Sequence, residues 1–200
     1  MKLLLALHFT LLSVLYLDHP FLDRLGVITA LIVIMIWYRD NVNAVHICAI
    51  QLVIMMLEFS VFHFNVFALH ESSLHLWKNA RIYTIHFTSD VVNFIALAYR
   101  PALSRMVLRI RNRSCEDVHF TISDMTLMTI CLLFIVADLL AMFENVIRNL
   151  EHFGFDEEFA KQFWEWNWVF YNYSTMKSIL AGVELWAILS ITTHAKKLKS

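Results

Sequence analysis

Five ionisable residues interrupt the long apolar runs of this 200-residue chain: Glu58, Asp90, Asp138, Lys177 and Glu184. Four carboxylic acids against one amine suit proton exchange or the passage of a cation, with Lys177 as a fixed or switchable countercharge. A charged group at the centre of a bilayer costs about 2.5–3.5 kcal/mol on insertion scales, so such residues are expected to face a protein interior and to pair. Their spacing agrees. Gln51, Glu58 and Asn65 recur every seven residues, as do Asp124, Cys131, Asp138 and Asn145. Tyr83, His86, Asp90 and Asn93 lie on one helical face, and so do Tyr173, Lys177 and Glu184. Ser174, Ser178 and Gly182 run beside the last group as small residues that permit close helix approach.

These patterns suggest an ion or proton pathway through Glu58, Asp90, Asp138, Lys177 and Glu184, supported by Gln51, Tyr83, Asn93, Asn145 and Tyr173. The plainer alternative is structural: Lys177 neutralises Asp138 or Glu184, and the rest hydrogen-bond helices to one another. Hairpin symmetry about residue 74 sets Glu58 level with Asp90 and His63 level with His86. Symmetry about residue 155 sets Asp138 level with Tyr173 and about one turn from Lys177.

The chain holds 10 histidines. His63 and His86 are the pair that would clamp a haem iron from two helices, or a transition metal together with Glu71. No HExxH or compact His-x-x-x-His accompanies them. No cofactor is therefore expected, with haem or a metal ion as the alternative.

The elements that must position these residues are helices in a membrane. The chain is 59% hydrophobic, against about 45–50% in soluble domains, and its mean hydropathy is +0.60. Gly 3 and Pro 2 leave no material for glycine-rich phosphate loops or flexible linkers. Six apolar runs, 2–18, 22–38, 43–69, 79–99, 121–147 and 164–192, approach or exceed the length needed to cross a bilayer. The expected fold is all-α: a polytopic integral membrane protein forming one domain over 1–200, with about six transmembrane helices. The first two runs carry no charge between Leu3 and Leu17 or between Leu25 and Tyr38. They are expected to form a peripheral hairpin facing lipid nearly all round, beside a four-helix polar bundle, unless one of them is re-entrant. Met1-Lys2 and the apolar stretch after them imitate a signal peptide, but no small-x-small cleavage site follows, so the segment is expected to persist as the first span.

Orientation follows from Lys and Arg. Lys2, Arg39, the arginines from Arg100 to Arg113 and the lysines from Lys196 to Lys199 fall on one side of a six-span topology. The other side holds only Arg24, Lys78, Arg81, Arg148 and Lys161. Both termini are thus expected in the cytoplasm. Cys48, Cys115 and Cys131 are odd in number and far apart, so no disulfide framework is expected.

Two connections have their own character. Residues 101–113 mix Arg105, Arg109, Arg111 and Arg113 with Met106, Val107, Leu108 and Ile110. This is the composition of a short amphipathic helix on anionic lipid headgroups, or simply of charge that fixes topology. Before the last span, Gly154 breaks the chain and Asp156 is the expected N-cap, followed by Phe163, Trp164, Trp166, Trp168, Phe170 and Tyr171. These aromatics suit an interfacial belt or a docking surface. The functional readings are a small channel or proton-conducting protein, a non-catalytic subunit of a larger membrane complex, and a haem-binding or metal-binding redox protein. Catalysis is not expected. The partners expected are membrane lipid and either copies of the chain or other membrane subunits, and not nucleic acid, because no recognised fold presents the arginines.

Overall fold

A computed structural model describes residues 20–67 and 74–197. The predicted span 2–18 lies outside the described residues. The described chain is helical and contains no strand: α1 (Pro20–Trp37), α2 (Val42–His63), α3 (His75–Ala98), α4 (Arg100–Ile110), α5 (Ile122–Ile147), the short α6 (Glu157–Ala160) and α7 (Trp168–Lys197). Two 3-10 turns, Leu150–Phe153 and Lys161–Phe163, flank α6. By length and composition α2 and α5 are each apolar enough to cross a membrane. The pair α3 and α4, bent by 67°, passes that test only jointly, which makes two such helices among the described residues, or three.

Local chemistry sets the boundaries. Pro20 opens α1, where its fixed φ and missing N–H cost nothing. Asn41 caps α2 by accepting from the Ala44 N–H at 3.2 Å. The sequence expectation carried this helix to residue 69; it stops at His63. Asn65 takes a left-handed φ of 49°, and the Val66 N–H returns to the Val61 carbonyl at 3.2 Å. Asparagine tolerates that conformation, and it ends a helix. Asn65 therefore leaves the stripe it was assigned to and accepts from Arg81 Nη1 at 2.7 Å. The bend after α3 has a cause as well: Pro101, in the first turn of α4, cannot donate to the preceding turn and clashes with its carbonyls. At the start of α5, Thr121 and Asp124 form a reciprocal capping box.

The central helices pack in sequence, α3 most extensively on α5, and α5 on α7, while α2 touches α1, α3 and α7. The main core joins Leu31 and Ile34 of α1, Ile47 and Cys48 of α2, Leu97 of α3, Leu127 and Cys131 of α5, and Ile188 of α7. The apolar second run is thus not lipid-facing all round: Ala30, Leu31 and Ile34 are buried, and only positions such as Ile36 and Trp37 are open. All three cysteines are free thiols.

Candidate functional site

Where α3, α5 and α7 meet, Lys177 bridges two carboxylates. Its Nζ lies 2.6 Å from Asp90 Oδ2 and 3.0 Å from Asp138 Oδ1. The Asp138 side chain exposes no surface, whereas those of Lys177 and Asp90 expose 19% and 15%. The ammonium also sits over the Phe134 ring, 4.7 Å from its centroid, a cation–π contact strengthened by desolvation. Tyr173, one turn before Lys177 on α7, donates its hydroxyl to Asp138 Oδ1 at 2.7 Å. The other oxygen, Asp138 Oδ2, is buried with no hydrogen-bond partner among the described residues.

A second pair adjoins the first. His86 Nδ1 approaches Glu58 Oε1 at 3.1 Å, joining α3 to α2. The His86 ring lies 6.2 Å from that of Tyr173, and the Tyr83 ring meets Tyr173 edge-on at 5.1 Å. Glu184 stands within electrostatic range of Lys177 and Glu58. Two polar groups therefore lie side by side, Glu58 with His86 and Tyr173 with Asp138, Lys177 and Asp90, joined through the 6.2 Å ring contact of His86 and Tyr173. No family model, no curated protein and no solved structure matches the chain. Any functional reading therefore rests on this geometry.

The sequence expectation sets Glu58 level with Asp90; the structure pairs Glu58 with His86, one turn earlier on α3. The register between α5 and α7 is as expected, with Asp138 opposite Tyr173. Among the supporting residues, Asn93 donates to Gln51 Oε1 at 2.9 Å within the interior. Asn145 donates to the Leu76 carbonyl at 3.0 Å and fastens the other end of α5 to α3.

His63 and His86 take different neighbours. His63 is stacked on Phe59 and meets Phe64 edge-on, while His86 turns to Glu58, Phe62 and Tyr173. Among the described residues no group of three or more His, Cys, Asp or Glu side chains is placed to hold a metal ion.

Two further polar sites escape sequence inspection. Arg100 was grouped with the surface arginines, yet its side chain exposes nothing. It pairs in bidentate fashion with the equally buried Asp124, its Nε donating to Oδ1 at 2.9 Å and its Nη2 to Oδ2. Asn43 Oδ1 and the His119 carbonyl accept from its remaining N–H groups. Asp124 Oδ2 also accepts from the Thr121 N–H at 2.6 Å. Each guanidinium nitrogen thus has at least one acceptor, the kind of hydrogen bonding a buried ion pair requires.

The second missed site is Glu144 on α5. Its carboxylate accepts from the backbone N–H of Val169 and of Phe170, both at 2.7 Å, and so caps α7 from another helix. Negative charge there also meets the positive end of the helix dipole. Asp156, the expected cap of the last span, caps only the four-residue α6, accepting from Phe159 N–H at 3.2 Å. Outside the predicted spans, the hydrogen bonds that Lys161 donates to Glu158 and then Glu157 hold its ammonium above the usual lysine value.

Proposed function

We propose that the chain is a membrane protein of about six spanning helices with both termini in the cytoplasm, and that it conducts protons through its polar interior. The observation that carries this reading is the position of Lys177 between Asp90 and Asp138, in contact with three helices' worth of hydrogen-bonding groups. Carboxylates, an imidazole and a phenol in succession are the groups through which protons pass in transporters and pumps. Asp90 and Asp138 contact the one ammonium and Glu184 stands within electrostatic range of it, an excess of acid over countercharge that supports a proton-exchanging cluster. The buried Asp138 Oδ2, with no hydrogen-bond partner among the described residues, supports the reading as a proton acceptor.

Proton flux into liposomes tests the proposal. The wild-type protein should collapse a pH gradient, read with a pH-sensitive dye, faster than protein-free liposomes do. Asp138→Asn should slow that collapse at least about tenfold, while Thr129→Ala, on the exposed face of α5, leaves most of it. Wild-type liposomes as tight as empty ones would overturn it.

A second reading has its own observation. Trp166, Trp168 and Tyr171 are 55%, 70% and 71% exposed and follow one another along the approach to α7. Such a patch suits a non-catalytic subunit that docks a neighbour within the membrane interface. Native mass measurement in mild detergent separates the two: a monomer that still conducts supports the pathway, and an assembly that loses its integrity on Trp166→Ala/Trp168→Ala supports docking.

A further inference from the structure

We infer that α4 is an interfacial helix that binds the headgroups of anionic phospholipids. The inference rests on the membrane-spanning part of the reading above, not on proton conduction. At about 100° per residue, the eleven residues of α4 sort into three sectors. Arg100, Ser104 and Leu108 are buried against the protein. Leu103, Met106, Val107 and Ile110 form a contiguous apolar stripe that nothing described covers, with Met106 58% and Ile110 73% exposed. Arg105 and Arg109 occupy the sector beside the stripe, and Arg111 and Arg113 follow at the helix end, all exposed.

Three observations select a lipid surface as the occupant. The first is direction: α4 turns 67° away from α3. The 24 residues of α3 reach about 36 Å at 1.5 Å per residue, long enough for a hydrocarbon core of about 30 Å, so α4 adds no length that a span requires and turns aside at its end. The second is anchorage: Arg100 at the start of α4 is locked to Asp124, Asn43 and the His119 carbonyl, which fixes the face that α4 presents. The third is charge complementarity. Four exposed arginines stand beside an apolar stripe, against Glu116 and Asp117 in the same connection, and of these Arg105 also donates to the Val118 carbonyl at 3.1 Å. The Asn112 backbone, at φ 51°, turns the chain so that Arg113 N–H closes on the Leu108 carbonyl at 2.9 Å and keeps the last arginines at the helix end. Apolar residues entering the acyl boundary beside arginines at phosphate level are the arrangement by which amphipathic helices hold anionic membranes.

The test compares the full-length protein with an Arg105→Gln/Arg109→Gln/Arg111→Gln/Arg113→Gln variant, both reconstituted in mixed phosphatidylcholine and phosphatidylglycerol and then examined by native mass spectrometry. The wild type should retain phosphatidylglycerol in preference to phosphatidylcholine, and the variant should lose about tenfold or more of that preference. Equal preference in both overturns the inference. Competition by millimolar inorganic phosphate that removes the bound lipid as fully as the substitutions do would identify a phosphate site instead and also overturn it. So would a bound protein, released by the same four changes, with lipid preference unaltered. A nitroxide at Met106→Cys gives an independent readout in vesicles: relaxation by oxygen rather than by an aqueous nickel reagent is expected, and the reverse overturns the placement. Release of the wild type from vesicles by alkaline carbonate would mark failure of the membrane-spanning reading itself, which these lipid measurements do not share.

Discussion

Arg100 and Asp124 form an ion pair in which neither side chain exposes any surface, and the pair ties the first turn of α4 to the first turn of α5. It lies at the corner where α3 bends, so one pair fixes three helix ends. A lysine there keeps the charge but lacks the planar fork that meets both carboxylate oxygens. Arg100→Lys should therefore lower stability by about 1–3 kcal/mol, the cost of the hydrogen bonds that a lysine cannot make to Asp124, Asn43 and the His119 carbonyl. Thermal unfolding in detergent measures this. A variant as stable as the wild type would show that the corner does not depend on the pair.

Lys177 answers to two carboxylates at once, and its loss should be non-additive with theirs. Lys177→Met leaves Asp90 and Asp138 facing each other without countercharge and should cost about 3–5 kcal/mol. Adding Asp90→Asn and Asp138→Asn should recover most of that loss, since the interaction being removed is shared. A triple variant no more stable than Lys177→Met alone would contradict the bridging geometry.

Glu144 should be worth a strong helix cap. Glu144→Ala frees the N–H groups of Val169 and Phe170 and should destabilise the protein by about 1–2 kcal/mol. Amide hydrogen exchange at Val169 and Phe170 should quicken, with exchange in the middle of α5 changed far less. Unchanged exchange at those two amides would exclude the cap.

Thr121 offers a milder, local check. Thr121→Ala removes the hydroxyl that accepts from the Asp124 N–H at 3.2 Å and should cost about 1 kcal/mol, whereas Thr121→Ser should be close to neutral. A loss shared equally by both variants would point to the threonine methyl rather than to the capping box.

Much of the helical framework can be read from the sequence, because long apolar runs and seven-residue recurrence of polar groups leave few other arrangements. Asp138 and Tyr173 were placed level by counting back from the turn between their helices, and they hydrogen-bond. The same counting set Glu58 level with Asp90, and its carboxylate pairs with His86 one turn away; the end of α2 at His63, followed by a left-handed Asn65, has no mark in the apolar pattern. Arg100 was hidden for a different reason. A buried arginine and an exposed one look alike in a basic segment, and only the bend at Pro101 turns this one inward. Glu144 acts on backbone groups twenty-five residues further on, a relationship that has no sequence periodicity.

The cap that α5 supplies to α7 also bears on which parts of the chain are free to vary. Because Glu144 grips Val169 and Phe170 directly, the start of α7 is registered by its neighbour rather than by the connecting segment. Tyr173 and Lys177 follow one and two turns later and reach Asp138 from that fixed origin. The connection over residues 150–166 can therefore gain or lose residues without shifting the lysine along the helix axis. Evolution or engineering can rebuild this connection while the charged interior keeps its alignment.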